Sequence, residues 1–258
     1  MPHASVNGIR LYYEERGSGV PILGLHGAGS SAVFWEDAAQ RLSGLGRVIT
    51  YDRRGSWRSE RPEPYDVTSV REHAQDALAL LRELDAEPAV LIGRSYGGTI
   101  ALDLALRHAG SVVAIALLEA GPMGLAHEYD AWFTSVRARV EDVDVDEIGE
   151  TVLREVFGAW EELPQAWRDV FTANGHALLA ELRGEERTDN DRLGELSVPA
   201  LVVTADASPE PIQRASEALA RALSQARSVR VGGDHAIDPA GPEVLAFLSE
   251  VLAQRAPA

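Results

Sequence analysis

The chain has 258 residues, a length that suits one large α/β domain with or without an insertion and that can bury a sizeable core. It contains no cysteine, which excludes disulfides, thiolate metal sites and a cysteine nucleophile, and no lysine, which excludes Schiff bases, pyridoxal phosphate attachment and the P-loop lysine. The net charge of −16 argues against nucleic acid and anionic membrane surfaces, both of which need a basic footprint, and favours a neutral or cationic small molecule.

Met1-Pro2-His3-Ala4-Ser5 shows no basic-then-apolar leader, and no apolar run approaches the ~20 residues of a membrane span, so a cytoplasmic monomer or homodimer is expected. Ile9 to Arg16 mixes β-formers with polar residues and runs into the turn Gly17-Ser18-Gly19, which predicts an early antiparallel strand. Val20-Pro21-Ile22-Leu23-Gly24-Leu25 has a buried-strand pattern and ends in His26-Gly27-Ala28-Gly29-Ser30-Ser31. That loop lacks the Walker lysine and a full G-x-G-x-x-G, so a phosphate cradle gives way to a loop whose small residues let backbone N–H groups approach a substrate carbonyl.

A helix is predicted at about 32–45 and a strand over Arg47 to Tyr51, followed by Asp52-Arg53-Arg54-Gly55, read as a turn stapled by its own ion pairs. From Ser69 the helical signal is strong: Ser69 and Glu72 form a capping box, and Val70, Ala74, Ala77, Leu78, Leu81 and Leu84 recur on one face. Ala89-Val90-Leu91-Ile92 then predicts a strand, Gly93-Arg94-Ser95-Tyr96-Gly97 fits the nucleophile elbow G-x-S-x-G, and Gly98 to Leu106 has helical spacing. The turn holds the serine hydroxyl at the end of the sheet, and the following helix directs N–H groups toward an oxyanion formed there.

Val112 to Leu118 is another buried run, ending in Glu119-Ala120-Gly121-Pro122. Alternating β and α segments to this point require a mostly parallel sheet covered on both faces. From about 122 to 196 the pattern becomes helical, with segments near 127–140, 146–160 and 164–182, and carries Trp132, Trp160 and Trp167. A strand returns at Val198 to Thr204, then a helix near 209–224, a short strand at 227–231, the loop Gly232-Gly233-Asp234-His235 and a last helix from Pro242.

His26-Gly27, Asp52-Arg53-Arg54-Gly55, Gly93-Arg94-Ser95-Tyr96-Gly97 and Gly233-Asp234-His235, in this order, resemble the α/β-hydrolase family over nearly the whole chain. The resemblance implies an α/β fold with a mostly parallel eight-stranded sheet flanked by helices, a core domain over 1–121 and 197–258, and a helical cap over 122–196 inserted after strand 6. It implies Ser95 as nucleophile and His235 as base, with the backbone N–H groups of Tyr96 and of Ala28 or Gly27 as oxyanion hole. His26 is read as a loop-ordering residue.

The usual acid position, past the seventh strand, falls on Ser208, which cannot hold a negative charge against an imidazolium. Glu119 at the end of the sixth strand is the other position the family uses, and a similar start and Ala-Ser-Pro-Glu loop accompany a glutamate there in lactonases that open resorcylic lactones. Asp206 and Asp234 stay open as alternative acids. The implied activity is cofactor-independent and metal-free hydrolysis of an ester or lactone with an apolar or aromatic part, with Trp57, Trp132, Trp160, Trp167 and Tyr96 as candidate wall residues. C–C bond hydrolysis, lyase or cofactor-free oxidation chemistry on the same scaffold, and a non-turnover small-molecule receptor, remain alternatives.

Overall fold

A computed structural model describes residues 2–184 and 187–254; position 1, positions 185–186 of the expected cap range and positions 255–258 of the expected core range lie outside the described residues. The chain begins with a strand that the sequence reading missed. β1 (His3–Val6) pairs antiparallel with β2 (Ile9–Arg16) across Asn7-Gly8, whose φ values of 47° and 81° are those of a tight hairpin turn.

β3 (Pro21–Leu25), β4 (Arg47–Tyr51), β5 (Ala89–Arg94), β6 (Val112–Leu118), β7 (Ala200–Ala205) and β8 (Ala226–Val231) complete an eight-stranded sheet in the order 1-2-4-3-5-6-7-8. The β2–β4 pairing is antiparallel and every pairing from β4 to β8 is parallel. The continuous apolar runs follow from burial on both faces, because successive residues serve opposite sides. Leu23, Leu91, Ile115, Leu117 and Val202 pack on one side with α2 (Val70–Glu83) and α3 (Tyr96–Arg107). Ile22, Ile92, Leu118 and Val203 pack on the other with Trp35, with α1 (Glu36–Leu42), and with α9 (Pro242–Ala253) through Phe247 and Leu248. β8 is one sheet edge, and its exposed Arg227 and Arg230 discourage a further strand from pairing there.

Between β6 and β7 the chain forms α4 (His127–Val140), α5 (Ile148–Glu155), α6 (Gln165–Ala173) and α7 (Gly175–Arg183); α8 (Glu210–Ala222) follows β7. The single helix expected over 164–182 is broken at Asn174, whose side chain is committed elsewhere. Its amide donates to the carbonyls of Gly29 and Ser30 at 3.0 and 2.8 Å and accepts the Trp57 N–H at 2.6 Å. The predicted capping box is half formed: Ser69 Oγ accepts the Glu72 N–H, but the Glu72 carboxylate turns to Arg54 and Thr68 instead of back to Ser69.

The Asp52-Arg53-Arg54 turn also differs from expectation. Asp52 does pair within the turn, with Arg58 at 2.7 Å, but Arg54 reaches Asp76 and Glu72 on α2. Arg53 is fully buried and meets Glu181 of α7 at 2.6 Å, an ion pair joining the helical insertion to the sheet. The same guanidinium donates to Gly27 O at 2.7 Å and lies 5.0 Å from the Tyr96 ring centroid, while Glu181 accepts the Gly29 N–H at 3.1 Å. The pair thus grips both sides of the loop at Ala28. Beside it, His26 accepts the Arg53 N–H at Nε2, and His73 sits edge-on to Tyr96. Burial, reinforced by Arg53, holds both imidazoles well below their ordinary pKa of 6.5.

Removing one partner of a buried pair leaves an uncompensated charge, so Glu181→Leu should destabilise the fold by about 3–5 kcal/mol, and Arg53→Met combined with Glu181→Leu should cost less than Glu181→Leu alone. Urea denaturation of the three proteins measures this. The buried histidines add a pH effect. Below pH 6.5 the unfolded chain takes up protons that the folded state refuses, so stability is complete above that value and falls as pH drops through it, by about 1.4 kcal/mol per pH unit for each histidine. Melting temperatures between pH 7.5 and 5 should decline for the wild type and decline less steeply for His73→Gln.

Candidate active site

Two strands end in the same local strain at the carboxyl edge of the sheet. Ser95, between β5 and α3, has φ 53° and ψ −124°, and its N–H donates to Leu118 O at 2.8 Å. The residues two positions away on either side have to be glycine: a Cβ on Gly97 would run into the carbonyl oxygens of Leu25 and His26, and one on Gly93 into that of Gly97. Glu119, directly after β6, has φ 51°, and its N–H donates to Val203 O at 2.9 Å. Both side chains are thereby lifted off the ends of adjacent parallel strands, where open α/β sheets bind ligands.

The Glu119 carboxylate is buried and fully engaged. Oε1 accepts the Ala205 N–H at 2.9 Å, while Oε2 accepts Ser208 Oγ at 2.6 Å and His235 Nδ1 at 2.7 Å. A carboxylate on Nδ1 keeps the proton there and leaves Nε2 as the acceptor. Ser208, which occupies the position where the family's usual acid was expected, donates a hydrogen bond to Glu119. The alternative Asp206 does not take this place: its carboxylate is exposed, 3.4 Å from Arg230. Asp234 accepts the Ala236 N–H within its own loop. His235 also carries a contact no motif announced, because Phe157 from the helical insertion stacks on its imidazole at 5.1 Å and 8°.

Ser95 and His235 line one cavity of about 240 Å³ together with Gly27, Ala28 and Tyr96. Tyr96 is the first residue of α3, so its N–H lies at the end of the helix facing Ser95. Ala28 sits in the loop held by Arg53, Glu181 and Asn174 on either side. The remaining wall is mainly apolar and comes largely from the insertion, with Trp132, Phe133, Val136, Leu153, Phe157, Trp167 and Phe171, joined by Phe34. Phe34 lies 4.6 Å from Trp167 and 5.3 Å from Phe171 between ring centroids.

Of the tryptophans expected in the wall, Trp132 and Trp167 line the cavity and Trp57 and Trp160 do not. Trp57 is turned outward, 42% exposed, at a φ of 43° set by the tight turn after Gly55. Trp160 is buried in the insertion beneath the Arg168 guanidinium. Phe34, Phe157, Phe171, Glu181 and Asn174 were not anticipated, since single aromatic, acidic and amide residues in helical stretches carry no local signal. No group of histidine and acidic side chains suited to a metal ion occurs among the described residues, and no helix there is long and apolar enough to cross a membrane.

The chain is 40% identical over 103 residues to the uncharacterized hydrolase YraK of Bacillus subtilis (strain 168), a match covering 40% of this chain and 38% of that protein. It is 36% identical over 115 residues to the 2-hydroxymuconate semialdehyde hydrolase of Pseudomonas sp. (strain CF600), covering 43% and 40%. The chain thus matches only about two fifths of the length of these relatives. Among solved structures, the enol-lactonase from Burkholderia xenovorans LB400 superposes with a TM-score of 0.80 over 98% of both chains at 23% identity, a likeness of fold. A model of the alpha/beta hydrolase family matches residues 22–248, from β3 through α9, and so spans both strained strand ends and the histidine loop. On that match, and on the sheet order that accompanies it, the chain belongs to the alpha/beta hydrolase family.

Proposed function

We propose that the protein is a serine hydrolase that cleaves a carboxylic ester or lactone of a largely apolar or aromatic small molecule through an acyl-enzyme on Ser95. The observation that carries this reading is the 2.7 Å hydrogen bond between His235 Nδ1 and Glu119, in a protein whose Ser95 and His235 border the same cavity. In the reaction, His235 Nε2 takes the Ser95 hydroxyl proton as the oxygen attacks the carbonyl carbon. The oxyanion accepts hydrogen bonds from the N–H groups of Tyr96 and Ala28, and Glu119 stabilises the imidazolium. Collapse of the tetrahedral intermediate breaks the ester C–O bond, and His235 returns the proton to the departing oxygen. Water, activated by the same imidazole, then attacks the acyl carbon and frees Ser95.

The aromatic wall supports a substrate with a substantial apolar part, and the helices over 122–196 act as the cap that excludes water from it. C–C bond hydrolysis is the second reading, favoured by the 36% identity to the 2-hydroxymuconate semialdehyde hydrolase. The receptor alternative drew on a vacant acid position, and the engagement of Glu119 with His235 counts against it. A cytoplasmic monomer or homodimer acting without a cofactor, a metal or a nucleic-acid partner completes the proposal.

Ser95→Ala should lower kcat on aryl esters by several orders of magnitude with the circular dichroism spectrum unchanged, and retention of turnover would rule out the covalent route. Glu119→Gln should cost about 10³- to 10⁴-fold in kcat, while Asp206→Asn should leave kcat within about threefold of wild type. The opposite pattern would move the acid to Asp206.

A further inference from the structure

Arg94, the residue before Ser95, enters none of the functions described above. It lies in the cavity wall and keeps part of its surface accessible. It is the one arginine among the described lining residues. The other charged groups of that wall are engaged: Glu181 with Arg53, His235 with Glu119, and Asp234 with the Ala236 N–H. Among the described residues, no hydrogen bond or ion pair engages the Arg94 guanidinium. The carboxylates that act on it electrostatically are Asp234 and Asp238, and Asp238 is already held in a fork by Arg41 at 2.7 and 2.8 Å. Burial lowers the pKa of Arg94 from its ordinary value, the mark of a cation that its surroundings under-compensate.

An arginine left in this condition in the wall of a mainly apolar cavity is suited to an anion. Its planar fork matches a carboxylate, and the low dielectric strengthens a pair that would be weak at the surface. The acidic character of the chain does not oppose this at short range, because surface charges are screened over about 8–10 Å. We infer that Arg94 binds a carboxylate of the substrate beside Ser95, so that the substrates are esters or lactones bearing a free carboxylate. The overall charge suggested a neutral or cationic molecule; the local cation is the nearer and stronger influence. This assignment rests on the reading of Ser95 as nucleophile for its kinetic test only.

The test uses phenyl esters with a carboxylate on the acyl chain (monophenyl glutarate and monophenyl adipate) or on the ring (3- and 4-acetoxybenzoate), each against its own carboxamide. At least one acid should exceed its amide about tenfold or more in kcat/KM for the wild type. Arg94→Gln should abolish that preference while holding amide turnover within about threefold, and Arg94→Lys should restore part of it. Equal loss on acid and amide would make Arg94 a prop for the histidine loop and overturn the assignment, as would a wild type with no acid preference. If the wild type hydrolyses none of these esters, the ester reading fails by itself, and calorimetry with 4-phenylbutyrate and 4-phenylbutyramide decides the anion site. Binding of the acid lost only in Arg94→Gln upholds it; equal binding of acid and amide, or equal binding by both proteins, overturns it.

Discussion

A carboxylate taken out of water needs a partner for each of its oxygens, and Glu119 finds them on three different segments. Ala205 ends β7, Ser208 lies in the loop after it, and His235 lies in the loop after β8. The arrangement works because β6 and β7 are parallel neighbours in register, with Leu118 beside Val203, so that both strands end at the same level. A shift of one residue would turn Glu119 to the other face of the sheet and leave a buried charge without its imidazole. The apolar runs that fill the two sides of the sheet therefore also set where the charge stands.

The second buried charge pair joins the insertion to the loop after β3. Arg53, at the end of the strand next to β3, and Glu181, on α7 of the insertion, hold the Gly27–Gly29 loop between them. Asn174 ties the same loop to the break between α6 and α7. These polar links fix the inner end of the insertion at the loop proposed to hold the oxyanion. The outer part of the insertion supplies aromatic rings, one of which, Phe157, reaches back onto His235. The cavity wall and the groups proposed for chemistry thus share supports, which ties the shape of the wall to the geometry of the reaction.

Charge has a different meaning at each scale in this molecule. Across the surface the excess of acidic residues sets solubility and general partner preference. Most of the arginines that balance it are spent on ion pairs such as Arg54 with Asp76 and Arg230 with Glu217. In the carboxylate site proposed for Arg94, the local guanidinium outweighs that balance, because at short distance and low dielectric one charge dominates many screened ones.

The sequence by itself determined the layered sheet, the helical stretch after the sixth strand and the positions of Ser95, Glu119 and His235 at strand ends, because period, apolar runs and turn glycines are local properties of the chain. It left the acid open among Glu119, Asp206 and Asp234, since a hydrogen bond between residues 116 positions apart depends on strand order and register. It placed four tryptophans in one wall, of which two are there, because whether a ring faces in or out depends on how the turn that carries Trp57 and the short turn that carries Trp160 pack against the rest of the fold. It read Arg53 as part of a self-contained turn, whereas its partner Glu181 comes from an element 128 positions later. Only the tertiary structure brings those distant charges together, and burial, which converts them from surface ornament into fixed supports, exists only once the sheet and the insertion have closed on each other.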